Sequence, residues 1–143
     1  MSKNILIVES RYYEDVAEML FDSVCDQLKE NNFNYKSIEV LGALEIPILI
    51  SKAITEDIYD GFIALGCVIK GETSHYDIVS SISAHSLSKL AIKHAVPITN
   101  GILTVDNKDQ ALYRADKDKK NIGGHAAKAC MNLIESFNSI KLS

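Results

Sequence analysis

His75 stands within a run in which chemistry is concentrated, Gly66–Val79, reading GCVIKGETSHYDIV. An imidazole titrates near neutrality, so it can both give and take a proton. Thr73 and Ser74, just before it, are good helix N-cap residues. The free amides of a helix start, with its dipole, form an anion site. Gly71 would let the chain turn sharply after the apolar run. A phosphate cradle and a proton shuttle are therefore expected side by side. The plainer alternative is a histidine that only caps a helix start; beside Thr73, Ser74 and a glycine turn, the functional reading is favoured. Asp77 does not make a metal pair with His75, because positions two apart on a helix do not face each other. His85, His94 and His125 have no such setting and read as surface residues.

The elements that must position this segment follow from hydrophobic period. Asn4–Glu9 reads as a first strand. A helix is expected over Tyr13–Asn31, with Val16, Leu20, Val24 and Leu28 on one face and Phe21 and Cys25 beside them. Tyr35–Leu41 reads as a second strand and Glu45–Asp57 as a short helix, with Pro47 tolerated in its first turn. The apolar, partly β-branched run Phe62–Ile69 reads as a buried parallel strand. The longest helix is expected over Ser74–Ala95, with Val79, Ile82, Leu87, Leu90 and Ala91 inward. Val96–Thr104 follows as a fourth strand, with Pro97 near its start. A short helix over Asn107–Ala115 precedes a last one over Gly123–Ile140, with Ala126, Ala129, Cys130, Leu133 and Phe137 on one face. The charge-dense stretch Asp116–Lys120 between them reads as a solvated loop.

Alternating strands and helices predict an α/β fold, and right-handed crossovers leave few topologies. The expectation is a flavodoxin-like three-layer sandwich around a four-stranded parallel sheet, one domain spanning residues 1–143. Ser10-Arg11-Tyr12, Gly42–Glu45, Gly71–His75 and Thr104 then all fall at the carboxyl ends of strands. That is the ligand edge of an open parallel sheet.

Composition narrows the partners. With 143 residues, one sizeable core is expected. Apolar residues at 47% and charged residues at 24% are ordinary for a soluble protein. A net charge of −4 leaves no basic footprint for nucleic acid. No stretch is long and apolar enough to span a membrane, and MSKNILIVES lacks a signal-peptide pattern. Cys25, Cys67 and Cys130 are widely spaced, with no CxxC pair. They read as free thiols of a reducing cytoplasm rather than a zinc or redox site.

The segment Gly66–Val79 resembles the signature of the lumazine synthases, the penultimate enzymes of riboflavin biosynthesis. Further pieces agree in kind and order: Ser10-Arg11-Tyr12, Gly42-Ala43-Leu44-Glu45-Ile46-Pro47, Asn100-Gly101-Ile102-Leu103-Thr104, and Gln110-Ala111 with Arg114-Ala115. The resemblance covers nearly the whole chain. It implies His75 as the catalytic proton-transfer residue. Tyr12 takes the place of an aromatic, usually phenylalanine, that stacks on the pyrimidine ring; unaided, it reads equally well as a helix-start aromatic on the core. Gly42, Ala43, Leu44 and Glu45 match a segment that binds the ribityl chain and ring, although Glu45 alone reads as a first-turn capping carboxylate. The resemblance adds Val68, Ile69 and Lys70 to this set. Asn100 matches a contact to the ring edge, and a buried amide there would need partners that a ligand could supply.

Phosphate is assigned by the resemblance to Glu72, Thr73 and Arg114. A guanidinium forms forked bonds to phosphate, but alone Arg114 is only a charge near a helix end. In the family this arginine reaches across from a neighbouring subunit. Two positions depart from the family pattern. Leu41 stands where proline is usual before Gly42. Ile122 stands where a lysine is common, leaving Lys119 and Lys120 as the nearest cations.

The family reaction condenses 5-amino-6-(D-ribitylamino)uracil with 3,4-dihydroxy-2-butanone 4-phosphate. None of its steps needs a metal or an oxidant, so no cofactor is implied. The implied partners are small-molecule substrates, copies of the chain as a homopentamer or its multiples, and riboflavin synthase; neither nucleic acid nor membrane is expected. Three rival readings fit the residues less well. A flavodoxin-type flavin module needs a glycine- or hydroxyl-rich loop after strand one, where Glu9–Glu14 has no glycine. A receiver domain needs an aspartate ending strand three, where Ile69-Lys70-Gly71 stands. A structural shell protein that kept the fold needs neither His75 nor Arg114 for packing.

Overall fold

The protein is described here by a computed structural model covering residues 2–142. In chain order its elements are β1 (Asn4–Ser10), α1 (Glu14–Glu30), β2 (Asn34–Val40), α2 (Glu45–Ile54), β3 (Gly61–Ile69), α3 (His75–His94), β4 (Ile98–Val105), α4 (Lys108–Ala115) and α5 (Ile122–Ser139). The four strands pair in parallel in the order β2-β1-β3-β4. This is the expected flavodoxin-like sandwich.

Strand alternation divides the core in two. Ile5 and Ile7 of β1, Ile63 and Leu65 of β3, and Leu103 and Val105 of β4 face α1, α4 and α5. Their neighbours Leu6, Val8, Phe62, Ala64 and Ile102 face α2 and α3. A central strand buried on both faces has no polar alternation to show, which is why β1 and β3 read as continuous apolar runs. The helix α1 presents Val16, Leu20, Val24 and Leu28 to this core as expected.

Several expectations need correction. Ile82 does not face the core: α3 turns Val79, Ser83 and Leu87 inward and leaves Ile82 50% exposed. Ala129 is exposed, because the 3.6-residue turn carries the buried stripe of α5 through Ala126, Ala127, Cys130, Met131 and Ile134. Pro97 lies just before β4, where its carbonyl accepts from the Phe62 N–H at 2.9 Å and no donor is demanded of it. Gly71 turns the chain without a positive φ, so the glycine's conformational licence is unused there. Ser74 is the N-cap of α3 by position but makes no side-chain cap bond; Thr73 Oγ1 instead accepts from the His75 N–H at 3.3 Å.

Helix α4 starts on Asn107, whose side chain accepts from the Gln110 N–H at 2.9 Å, while Gln110 Oε1 accepts from the Asp106 N–H at 2.8 Å. The two amide side chains thus satisfy donors at both sides of the helix start. Helix α5 starts on Asn121, whose side chain accepts from the Gly124 N–H at 3.2 Å.

Candidate active site

A cavity of about 330 Å³ opens at the carboxyl ends of β1, β2 and β3. Of the residues expected there, Tyr12, Gly42, Ala43, Val68, Ile69 and His75 line it. Sequence reasoning did not single out Tyr13, Leu41, Cys67 and Val79 for this role, and Ser10 only as part of a tripeptide; all five line the same cavity. The signal for Ser10 and Tyr13 was available, since both border the β1 end. Cys67 gave none, because an inward position on a strand looks like core.

Each wall is made by a local feature. Ser10 Oγ donates to the Leu41 carbonyl at 3.2 Å, tying the β1 end to the loop after β2. That loop closes through a Glu45 N–H to Gly42 carbonyl bond of 3.1 Å. Glu45 stands exposed in the first turn of α2, and its carboxylate folds back over Gly42, where an added Cβ would lie 3.0 Å from Oε1. Leu44 packs half-buried against the α2–α3 side of the core. His75 is the first residue of α3 and is exposed, so its ring meets the cavity and solvent together. Tyr12 is 78% exposed, with its ring edge-on to Tyr13 at 4.9 Å between centroids.

Lys70, Glu72 and Thr73 lie exposed on the β3–α3 connection and do not line the cavity. The Lys70 N–H donates to the Val105 carbonyl at 2.9 Å, which holds the start of that connection to β4. Asn100 also lies off the cavity. It sits on β4, opposite Ala64 in the register, and its side chain is exposed rather than buried. Its Oδ1 accepts from the Ile102 N–H at 2.9 Å, so the amide already has a partner within its own edge strand. Arg114, in the last turn of α4, is half-buried and outside the cavity; its Nη1 reaches the Gln110 carbonyl at 3.4 Å. Ile122 packs half-buried against the α1–α5 side of the core. Lys119 places its ammonium 5.6 Å from the Tyr113 ring centroid.

Next to Tyr12 in the chain, charge is arranged around Arg11. Its guanidinium donates to Glu9 at 2.8 Å, to Glu14 at 3.2 Å and to Glu18. Burial alone would favour a neutral guanidine, but the bonds to Glu18, Glu14 and Glu9 hold it charged. Burial dominates at Glu9, whose carboxyl stays above its ordinary value although Arg11 pulls it down. Burial also pushes the Cys67 thiol up to about 11, against the pull of Lys108. Cys67 is therefore a thiol and not a thiolate at neutral pH. Tyr13 is raised too, first by burial and then by Tyr12 and Cys67.

Such a cavity can hold a flat polar ring against an aromatic face, offer backbone groups along an extended polyol, and move protons through one imidazole. Among the described residues, no group of three or more His, Cys, Asp or Glu is placed to hold a metal ion. A groove of about 380 Å³ between α2 and α3 is larger, but its lining of Pro47, Ile48, Ser51, Ser86, Lys89, Leu90 and Lys93 includes no residue expected to do chemistry.

The chain as a whole is similar to proteins of one named family. A family model described as 6,7-dimethyl-8-ribityllumazine synthase matches residues 2–138. A protein of Agrobacterium fabrum strain C58 bearing that name is 48% identical over 143 residues, covering 94% of this chain and 95% of its own. One of Zymomonas mobilis with the same name is 47% identical over 129 residues, covering 90% of this chain and 92% of its own. The Rhizobium meliloti protein named 6,7-dimethyl-8-ribityllumazine synthase 1 is 44% identical over 137 residues, covering 92% and 90% respectively.

Proposed function

The chain belongs to the 6,7-dimethyl-8-ribityllumazine synthase family, and from that premise we propose the residue roles that let it condense 5-amino-6-(D-ribitylamino)uracil with 3,4-dihydroxy-2-butanone 4-phosphate. The products are 6,7-dimethyl-8-ribityllumazine, phosphate and water, the penultimate step of riboflavin biosynthesis. The observation that carries the site assignment is that Tyr12, the Gly42–Ala43 backbone and His75, each after a different strand, line one cavity.

Tyr12 stacks on the pyrimidine. Gly42, Ala43, Leu44 and Glu45, with Val68, Ile69 and Lys70, hold the ring and the ribityl chain. Glu72 and Thr73, at the amide-rich start of α3, receive the phosphate, and His75 beside them moves the protons of amine attack, imine formation and phosphate elimination. Holding two substrates in contact supplies several kcal/mol of the barrier reduction, and acid–base help adds about 10²–10⁴-fold. His75→Ala is accordingly expected to be slowed but not dead. Residual turnover equal to the uncatalysed rate would refute this division of labour.

Asn100 and Arg114 complete the site from a neighbouring copy. Their position away from the cavity of their own chain supports this, as do Ile78, Ile82 and Ile92, which α3 leaves exposed among polar neighbours. The whole chain, 1–143, acts as a single domain in a cytoplasmic homopentamer or a multiple of it, with riboflavin synthase as the next enzyme to take its product. The test is to mix purified protein with both substrates and follow lumazine absorbance and phosphate release together. Stoichiometric appearance of both is expected; appearance of neither overturns the reading.

A further inference from the structure

We propose that Arg11, which does not line the cavity, is a positioning residue that sets the affinity for the pyrimidine substrate by clamping the loop that carries Tyr12. This rests on the stacking role given to Tyr12 above. Arg11 precedes Tyr12, yet its side chain turns away from the cavity and is only 15% exposed. Its fork joins Glu9, at the buried end of β1, to Glu14 and Glu18, in the first turns of α1. The guanidinium carbon also lies 6.0 Å from the Phe21 ring centroid. One group thus spans both flanks of the short connection Arg11–Tyr13.

The far side of that connection is held as well. Lys108 of α4 sits 5.7 Å from the Tyr13 ring centroid and bonds Asp15 at 3.0 Å, and Tyr13 backs Tyr12 edge-on. Tyr12 itself is largely free in solvent, so its ring direction is inherited from the loop. A lysine cannot reproduce the clamp, because a compact ammonium cannot bond three carboxylates in the plane that a guanidinium offers.

The experiment compares wild type with Arg11→Lys, Arg11→Met and the double variant Glu9→Gln/Arg11→Met. Both Michaelis constants, kcat, the melting temperature and amide exchange at residues 11–13 are measured. Arg11→Met leaves Glu9 buried without a partner and can lose stability for that reason alone; the double variant removes that charge and keeps the test open. In the double variant the pyrimidine Michaelis constant is expected to rise by roughly tenfold or more, with that for the butanone phosphate within about twofold and amide exchange at Tyr12 and Tyr13 faster. Arg11→Lys should fall between. A wild-type pyrimidine constant in a folded double variant, or equal rises for both substrates, overturns the proposal. If wild type forms no lumazine the functional reading fails instead, and unchanged exchange at Tyr12 in the double variant would still overturn the clamp.

Discussion

Tyr12 is a large aromatic that the chain leaves in solvent beside a cavity, where it contributes little to burial. Stacking needs the ring and not the hydroxyl, so Tyr12→Phe should retain most activity. Tyr12→Ala should weaken pyrimidine binding by roughly 1–3 kcal/mol, by analogy with base–aromatic stacking. Michaelis constants for the two variants check this, and equal values for Phe and Ala would remove the ring from the site. Glu9, behind the same loop, carries a pH signature. Its folded-state carboxyl is raised above the ordinary value of 4.5 because burial outweighs the pull of Arg11. Its contribution is therefore fully present below the unfolded value and lost as pH rises through the higher folded value. The stability of wild type relative to Glu9→Gln should shrink as pH is raised from about 4.5. Melting temperatures of the pair across that range test it; a gap widening with pH would contradict the sign.

At the scale of elements, α1 and α5 pack closely enough on one side of the sheet to need glycine. Gly123 opens α5 against α1, and a Cβ there would lie 2.6 Å from the Leu20 carbonyl oxygen. That neighbour is backbone and cannot swing aside. Gly123→Ala should destabilise by roughly 1–3 kcal/mol, read as a lower melting temperature without loss of the pyrimidine site in the surviving fold. Helix α3 shows a different pressure. Val79, Ser83 and Leu87 face inward, while Ile78 and Ile82 are each 50% exposed, four residues apart on another face. Isoleucines on a second, exposed face defeat assignment by hydrophobic period, since the period does not say which apolar positions belong to the chain's own core.

At the scale of the molecule, one chain brings Tyr12 and His75 to a common cavity and leaves Arg114 outside it. A site shared between copies makes a firm demand on mixtures. His75→Ala and Arg114→Ala chains, each impaired, should partly restore activity when subunits exchange, because some interfaces then pair an intact His75 with an intact Arg114. Activity measured after proven mixed assembly decides it; no recovery would sink the shared site.

Element order, the parallel sheet and the meeting of polar clusters at the carboxyl ends of its strands were legible in the chain, because strand alternation, helix period and the clusters after each strand are local patterns. So was the cluster at Gly66–Val79, whose residues sit together by sequence. Tertiary structure alone decided the rest. It placed Ile82 outside and Ala129 in solvent, since which arc of a helix is buried depends on the crossing of its neighbours and not on composition. It turned Asn100 from an expected buried amide into an edge-strand cap for the Ile102 N–H. It brought Cys67 to the cavity wall and wound Arg11 back onto three carboxylates. Each of these outcomes depends on where a side chain points once the elements are packed, and no periodicity along the chain encodes those directions.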